Sequence, residues 1–170
     1  TSRSAAWGGR DWGQRGGDRN GEGANDNSGG AVSRARYGRV VAIGAKYNDN
    51  NYGENAGHTR VYAWNGTAGV QRGTDIDGET AQDLSGCAVT LSGDGNTLAI
   101  GAPQNSGRGG SKSGHTRIYD WDSSTWAQHG RDINGESGGD PTGLSMSLAT
   151  VANLVVLGGK GHDDTGYALG

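Results

Sequence analysis

The chain repeats itself every 57 residues without a gap. Gly21-Glu22 returns as Gly78-Glu79 and Gly135-Glu136, Asp26 as Asp83 and Asp140, and Gly44 as Gly101 and Gly158. His58 returns as His115, Tyr62 as Tyr119, and Trp7 as Trp64 and Trp121. A fixed period of this length means that one supersecondary unit is arrayed, because a single unit cannot bury its own apolar face. The repeat constrains fold more tightly than function, since repeat folds differ in the surfaces they present.

The second copy reads as strands. Cys87-Ala88-Val89-Thr90-Leu91 alternates, and Gly93-Asp94-Gly95-Asn96 after it is a hairpin signal. Leu98 to Ala102 is a second strand, His115 to Trp121 a third and Trp126 to Gly130 a short fourth, with Asp132 to Glu136 leading into the next copy. No segment has helical periodicity. Four short antiparallel strands per repeat predict an all-β fold of β-propeller blades. Small residues at Ala42, Gly44, Ala45, Ala99, Gly101 and Ala102 suit the narrow inner part of a blade. The Trp and Tyr residues of the later strands suit packing between blades, with their polar tips wet. A parallel β-helix has a shorter repeat. A WD40 blade separates its Gly-His and Trp-Asp marks by most of its length, whereas Gly114-His115 and Trp121-Asp122 are close together.

Composition agrees with an ordered, turn-rich protein. Of 170 residues 35 are Gly, none is Phe and two are Pro, and the net charge is only −3. That balance argues against a nucleic-acid binder, although Arg15 to Gly17 and Arg108 to Gly110 are Arg-Gly-Gly triplets. The single Cys87 excludes an internal disulfide and reads as a small buried hydrophobe. No apolar run is long enough to span a membrane as a helix.

From Gly73 to Pro103 the chain carries Gly-x-Asp-Ile-x-Gly-Glu-x3-Asp-x2-Gly-x2-Val-x-Leu-Ser-x-Asp-Gly-x2-Leu-Ala-Ile-Gly-Ala-Pro. This pattern resembles the FG-GAP repeats of integrin-α-type β-propellers, in the form found in microbial and algal tandem-repeat proteins. Gly101 to Pro103 stands where that family has its Gly-Ala-Pro, and Asp83 to Gly86 where it has its Phe-Gly element. The third copy departs from it, with Gly159-Lys160 in place of Ala-Pro. The resemblance implies a non-enzymatic scaffold for protein–protein interaction, adhesion or assembly, in an extracellular or lumenal setting. It also implies closure with about seven blades. The repeat phase then divides the chain into an outer half-blade and linker (1–27), two blades (28–84 and 85–141) and an inner half-blade (142–170). The halves are expected to complement each other, within a larger propeller or between copies, because open sheet edges are a liability.

An acidic string is the main chemical candidate. Asp75, Asp77, Glu79 and Asp83 hold relative positions 1, 3, 5 and 9, and Asp132, Asn134, Glu136 and Asp140 repeat them. Oxygen ligands so spaced can converge on Ca²⁺. The alternative is that they cap turns by accepting backbone N–H bonds. Integrin-type blades carry calcium before the Gly-Ala-Pro strand, where this chain has only Ser92-Gly93-Asp94-Gly95-Asn96. His58 and His115, beside Arg60 and Arg117, read as structural because they recur at one blade position. No nucleophile or phosphate-loop motif is present. Partner contacts are expected from the loops Lys46 to Gly57 and Pro103 to Gly114, through Tyr47, Tyr52 and Arg108. The rival reading is a glycan-binding propeller, with or without Ca²⁺. Asn65-Gly66-Thr67 is a glycosylation sequon.

Overall fold

The computed structural model describes residues 1–139, 141–149 and 154–159. These form strands and turns with no helix, so none is long and apolar enough to cross a membrane. Two strand pairs flank two larger sheets, all antiparallel and none closed on itself. β1 (Ala5–Trp7) pairs with β2 (Trp12–Gln14). The first large sheet runs β3 (Ala31–Arg34), β4 (Val40–Ala45), β5 (His58–Trp64), β6 (Gly69–Gln71), with β7 (Ile76–Asp77) also on β5. The second runs β8 (Ala88–Leu91), β9 (Thr97–Ala102), β10 (His115–Trp121), β11 (Trp126–Gln128), with β12 (Ile133–Asn134) also on β10. β13 (Ser145–Leu148) pairs with β14 (Val155–Gly158).

The expected short fourth strand is followed, after a break, by an unexpected fifth, and the two pair with opposite ends of the third. β11 lies against Tyr119 to Trp121, while β12 lies against His115 and Thr116. The break has a local cause. Gly73 and Gly130 adopt φ of +83° and +75°, a conformation that L side chains seldom take. The chain leaves the ladder there and returns carrying Asp75 or Asp132 toward the start of the third strand. The turn between β8 and β9 is also stabilised locally: Asp94 accepts from the Ser92 hydroxyl at 2.6 Å and the Asn96 N–H at 3.0 Å. Those bonds hold its carboxyl below the usual range.

Successive sheets pack through their first two strands. β8 lies on β3 and β4, and β13 lies on β8 and β9. The core between the two large sheets joins Val40, Ala42 and Val61 to Val89, Leu91, Leu98 and Ile100, with Leu98 fully buried. Trp126 crosses from the second sheet to the first and donates its indole N–H to the Arg72 carbonyl at 2.8 Å. Its polar tip thus meets backbone rather than water. Trp121 packs beside it with the rings tilted by 56° and their centroids 5.4 Å apart, and the Arg72 guanidinium lies 4.6 Å from the Trp121 ring.

The glycine of the Gly-Ala pair belongs to the next repeat as much as to its own. A Cβ on Gly44 would collide with the Gly86 carbonyl, and one on Gly101 with the Gly143 carbonyl. The repeats are further joined by parallel bridges, Gly57 to Ser85 and Gly114 to Thr142. Around them Gly78 donates to Gly57 O at 2.7 Å and Gly135 to Gly114 O at 3.0 Å.

Candidate functional site

The acidic string does not close on one point; it divides between two repeats. Asp75 turns back to His58 at the start of β5, where Glu22 arrives from the preceding copy. Glu79 reaches forward to His115 at the start of β10, where Asp132 arrives. Among the described residues these are the two groups of three or more His, Cys, Asp or Glu side chains close enough to share an ion, and each contains a histidine. In the first, His58 Nδ1 lies 3.7 Å from Glu22 Oε2 and 3.6 Å from Asp75 Oδ2. In the second, His115 Nδ1 lies 3.9 Å from both Glu79 Oε2 and Asp132 Oδ2. Arg60 and Arg117 pair with the other Glu oxygen, Oε1, at 3.8 and 3.3 Å.

Both imidazoles are almost fully buried. Burial, and then the neighbouring Arg60 or Arg117 charge, lowers each imidazole's pKa, against the opposing pull of the carboxylates. The same burial pushes the Tyr119 phenol up to about 12.

The other members of the string have separate tasks. Asp83 is buried and accepts from Thr80 N–H at 3.0 Å and from Asn105 Nδ2 at 2.9 Å, so it caps a turn and ties down the next loop. Asp26 does the same with Gly23 N–H and Asn48. Burial raises the Asp26 carboxyl, but those bonds outweigh it and leave it below the usual range. Asp77 pairs with His58 along β7, and its carbonyl accepts from Arg117 Nη2 at 2.6 Å. Its carboxyl is raised by burial. Asn134 takes the equivalent place opposite His115. Glu136 is exposed, and Asp140 lies outside the described residues.

Of the expected contact residues, Tyr47, Tyr52 and Arg108 are exposed. Tyr52 shares a hollow of 430 Å³ with Asp75, Asp77 and Glu79. Arg108 lines another with Asp132 and Asn134. The loops that carry them are anchored, since Asn48, Ala56, Asn105 and Ser113 are buried. Asn65 is exposed and its side-chain oxygen caps the β5–β6 turn through Thr67 and Ala68 N–H, both at 2.9 Å.

Sequence reasoning missed one feature. A cavity of 720 Å³ between β1–β2 and the first large sheet is lined by Arg3, Arg15, Arg19, Arg34, Arg36 and Arg39. Arg15 stacks 4.3 Å over Trp64. The available signal was departure from the repeat: Arg19, Arg34, Arg36 and Arg39 stand where the second copy has Ile76, Leu91, Gly93 and Asn96.

No protein-family model and no curated protein matches this chain.

Proposed function

We propose that the chain is a non-enzymatic β-propeller scaffold acting in protein interaction, adhesion or assembly, in an extracellular or lumenal setting as its FG-GAP resemblance implies. The observation that carries this reading is the way the sheets adjoin. The second large sheet lays β8 on β3 and β4, β13 lies in the same way on β8 and β9, and the glycine contact recurs at the same place 57 residues on. A recurrent inner contact of that kind is what sheets arranged around an axis require. The recurrent polar residues are occupied in joining repeats, which leaves the loops for partners.

β13–β14 corresponds to the first two strands of the unit and β1–β2 to its last two. Complementary half-blades, from another copy or from further repeats, complete these sheets by pairing a β14-type edge with a β1-type edge. The register is that of β4 on β5, with Gly44 opposite Thr59. Light scattering of the purified chain tests the self-assembly form of this reading. A concentration-independent monomer counts against pairing between copies.

The second reading is a glycan-binding propeller. The arginine-lined cavity beside Trp64 favours it, because guanidinium groups and an aromatic face together suit an anionic sugar. A glycan array, repeated with Arg36→Ala and with chelator, separates the two. Hits on sulfated or carboxylated glycans that Arg36→Ala abolishes support the glycan reading, and an empty array leaves the scaffold.

A further inference from the structure

We infer that the two Glu–His–Asp clusters are zinc sites that rivet successive repeats together. Each cluster takes a glutamate from one repeat and a histidine and aspartate from the next, so an ion there would cross-link them. Zinc prefers mixed nitrogen and oxygen ligands at about 2.0–2.2 Å in tetrahedral array, which sets neighbouring ligand atoms roughly 3.4 Å apart. The His58 nitrogen stands 3.6 and 3.7 Å from its two carboxylate oxygens, a few tenths of an ångström from that spacing. Calcium takes oxygen ligands at longer distances and has no use for a buried imidazole.

The wiring of each carboxylate points the same way. Asp75 spends Oδ1 on Gln71 Nε2 at 2.5 Å, and Asp132 spends Oδ1 on Gln128 Nε2 at 2.8 Å. Glu22 and Glu79 give Oε1 to Arg60 and Arg117. In the His115 cluster each carboxylate has one oxygen held by an outer partner and the other turned to the histidine nitrogen, the arrangement that orients ligands around a metal; in the His58 cluster Glu22 Oε2 also accepts from Asn48 Nδ2 at 3.4 Å and Asp75 Oδ2 lies 4.0 Å from Arg60 Nε. The histidine is the independent sign. Its side chain is 2 % exposed, its Nδ1 is aimed between two carboxylates, and both lie beyond hydrogen-bonding distance.

The N-terminal copy is an internal comparison. Thr1 stands in the histidine position, and there Arg3 grips both aspartate oxygens: its Nη2 donates to Asp18 Oδ2 at 3.1 Å and its Nε lies 3.0 Å from Oδ1, which also accepts from Gln14 at 2.7 Å. Where the imidazole is absent, the arginine closes on the aspartate, from 4.0 Å at Arg60–Asp75 to 3.0 Å at Arg3–Asp18. The cluster at His115 is the weaker of the two sites, since its distances are longer and His115 Nε2 is buried without a partner.

The test is a zinc titration of the chelator-stripped chain, read by calorimetry and by the metal content of the dialysed protein. Glu22 and Glu79 are half exposed, so Glu22→Gln and Glu79→Gln keep the fold and each remove one ligand. Two zinc ions per wild-type chain are expected, one in each single variant and none in the double variant. Gln71→Ala, which frees an outer partner, weakens its site about 10–100-fold. Cobalt substitution gives a spectrum without thiolate charge transfer, which separates these sites from Cys87. A wild-type chain that binds no zinc, or a double variant that retains what the wild type binds, overturns the inference. Neither result depends on how many blades the assembly has.

Discussion

Replacing Gly101 by alanine puts a methyl group onto the Gly143 carbonyl, and Gly44→Ala does the same against Gly86. Neither glycine needs a positive φ, so the cost is contact alone. Alanine in a strand would otherwise gain roughly 0.5–1 kcal/mol over glycine through chain entropy. The obstructing atom is a backbone oxygen of the next repeat, which cannot rotate away. Relief requires the sheets to separate, which for Gly44 breaks the apposition that buries Leu91, Leu98 and Ile100 and for Gly101 the packing of β13 on β8 and β9. The net loss is about 2–3 kcal/mol per substitution, as for other overpacked cores. For a chain of this size that lowers Tm by about 5–10 °C. Gly158 is the control, because a Cβ there meets chiefly the Ser145 side chain, which can move. Urea and thermal unfolding of the three single variants read the result. Gly44→Ala and Gly101→Ala within about 0.5 kcal/mol of wild type, or Gly158→Ala as damaging as they are, would refute the claim that this glycine serves the next repeat.

Three further outcomes follow from the same geometry. Asp83→Ala leaves the Thr80 N–H and the buried Asn105 amide without their acceptor and costs about 1–3 kcal/mol in urea unfolding; an unchanged midpoint would deny Asp83 its capping role. Trp126→Phe keeps the ring contact but orphans the Arg72 carbonyl, for a loss of about 1 kcal/mol, while Trp126→Ala costs about 3–5 kcal/mol. The two histidines set a pH dependence in chelator. Burial and Arg60 or Arg117 lower them; Glu22, Asp75 and Asp77 around His58, and Glu79, Asp132 and Asp83 around His115, oppose that shift without cancelling it. The unfolded chain therefore takes up protons first. Stability is full above about pH 6.5 and falls as the pH drops from there toward the lowered native values. His58→Gln with His115→Gln flattens that slope, and a slope unchanged in the double variant would contradict it.

The strands were legible because period and alternation are local properties. Val89 to Leu91 and Leu98 to Ala102 lie where their side-chain pattern puts them. The extra strands β7 and β12 were not legible: Asp132 to Glu136 read as a lead into the next copy, because the return to the third strand depends on the conformation of Gly73 and Gly130, and glycine is used for many purposes in a chain so rich in it. The acidic string misled in a particular way. Spacing along the chain suggested convergence, and a continuous strand would keep Asp75, Asp77 and Glu79 on one face, but β7 spans only Ile76–Asp77 and the chain leaves it at Gly78, so Asp75 serves the histidine of its own sheet and Glu79 that of the next. The structural weight of His58 and His115 followed from recurrence, whereas their carboxylate partners, distant in sequence, required the fold. The arginine cavity was hidden for the opposite reason: attention to what recurs passes over residues that one copy alone changes.

Electron-microscope imaging of the assembled particle tests the central claim, that these repeats are blades around a common axis. The account predicts discs in which four-stranded sheets radiate from a central channel, with the β3, β8 and β13 strands innermost. A straight or gently curved rod, in which the sheets stack end to end and no channel appears, would contradict it.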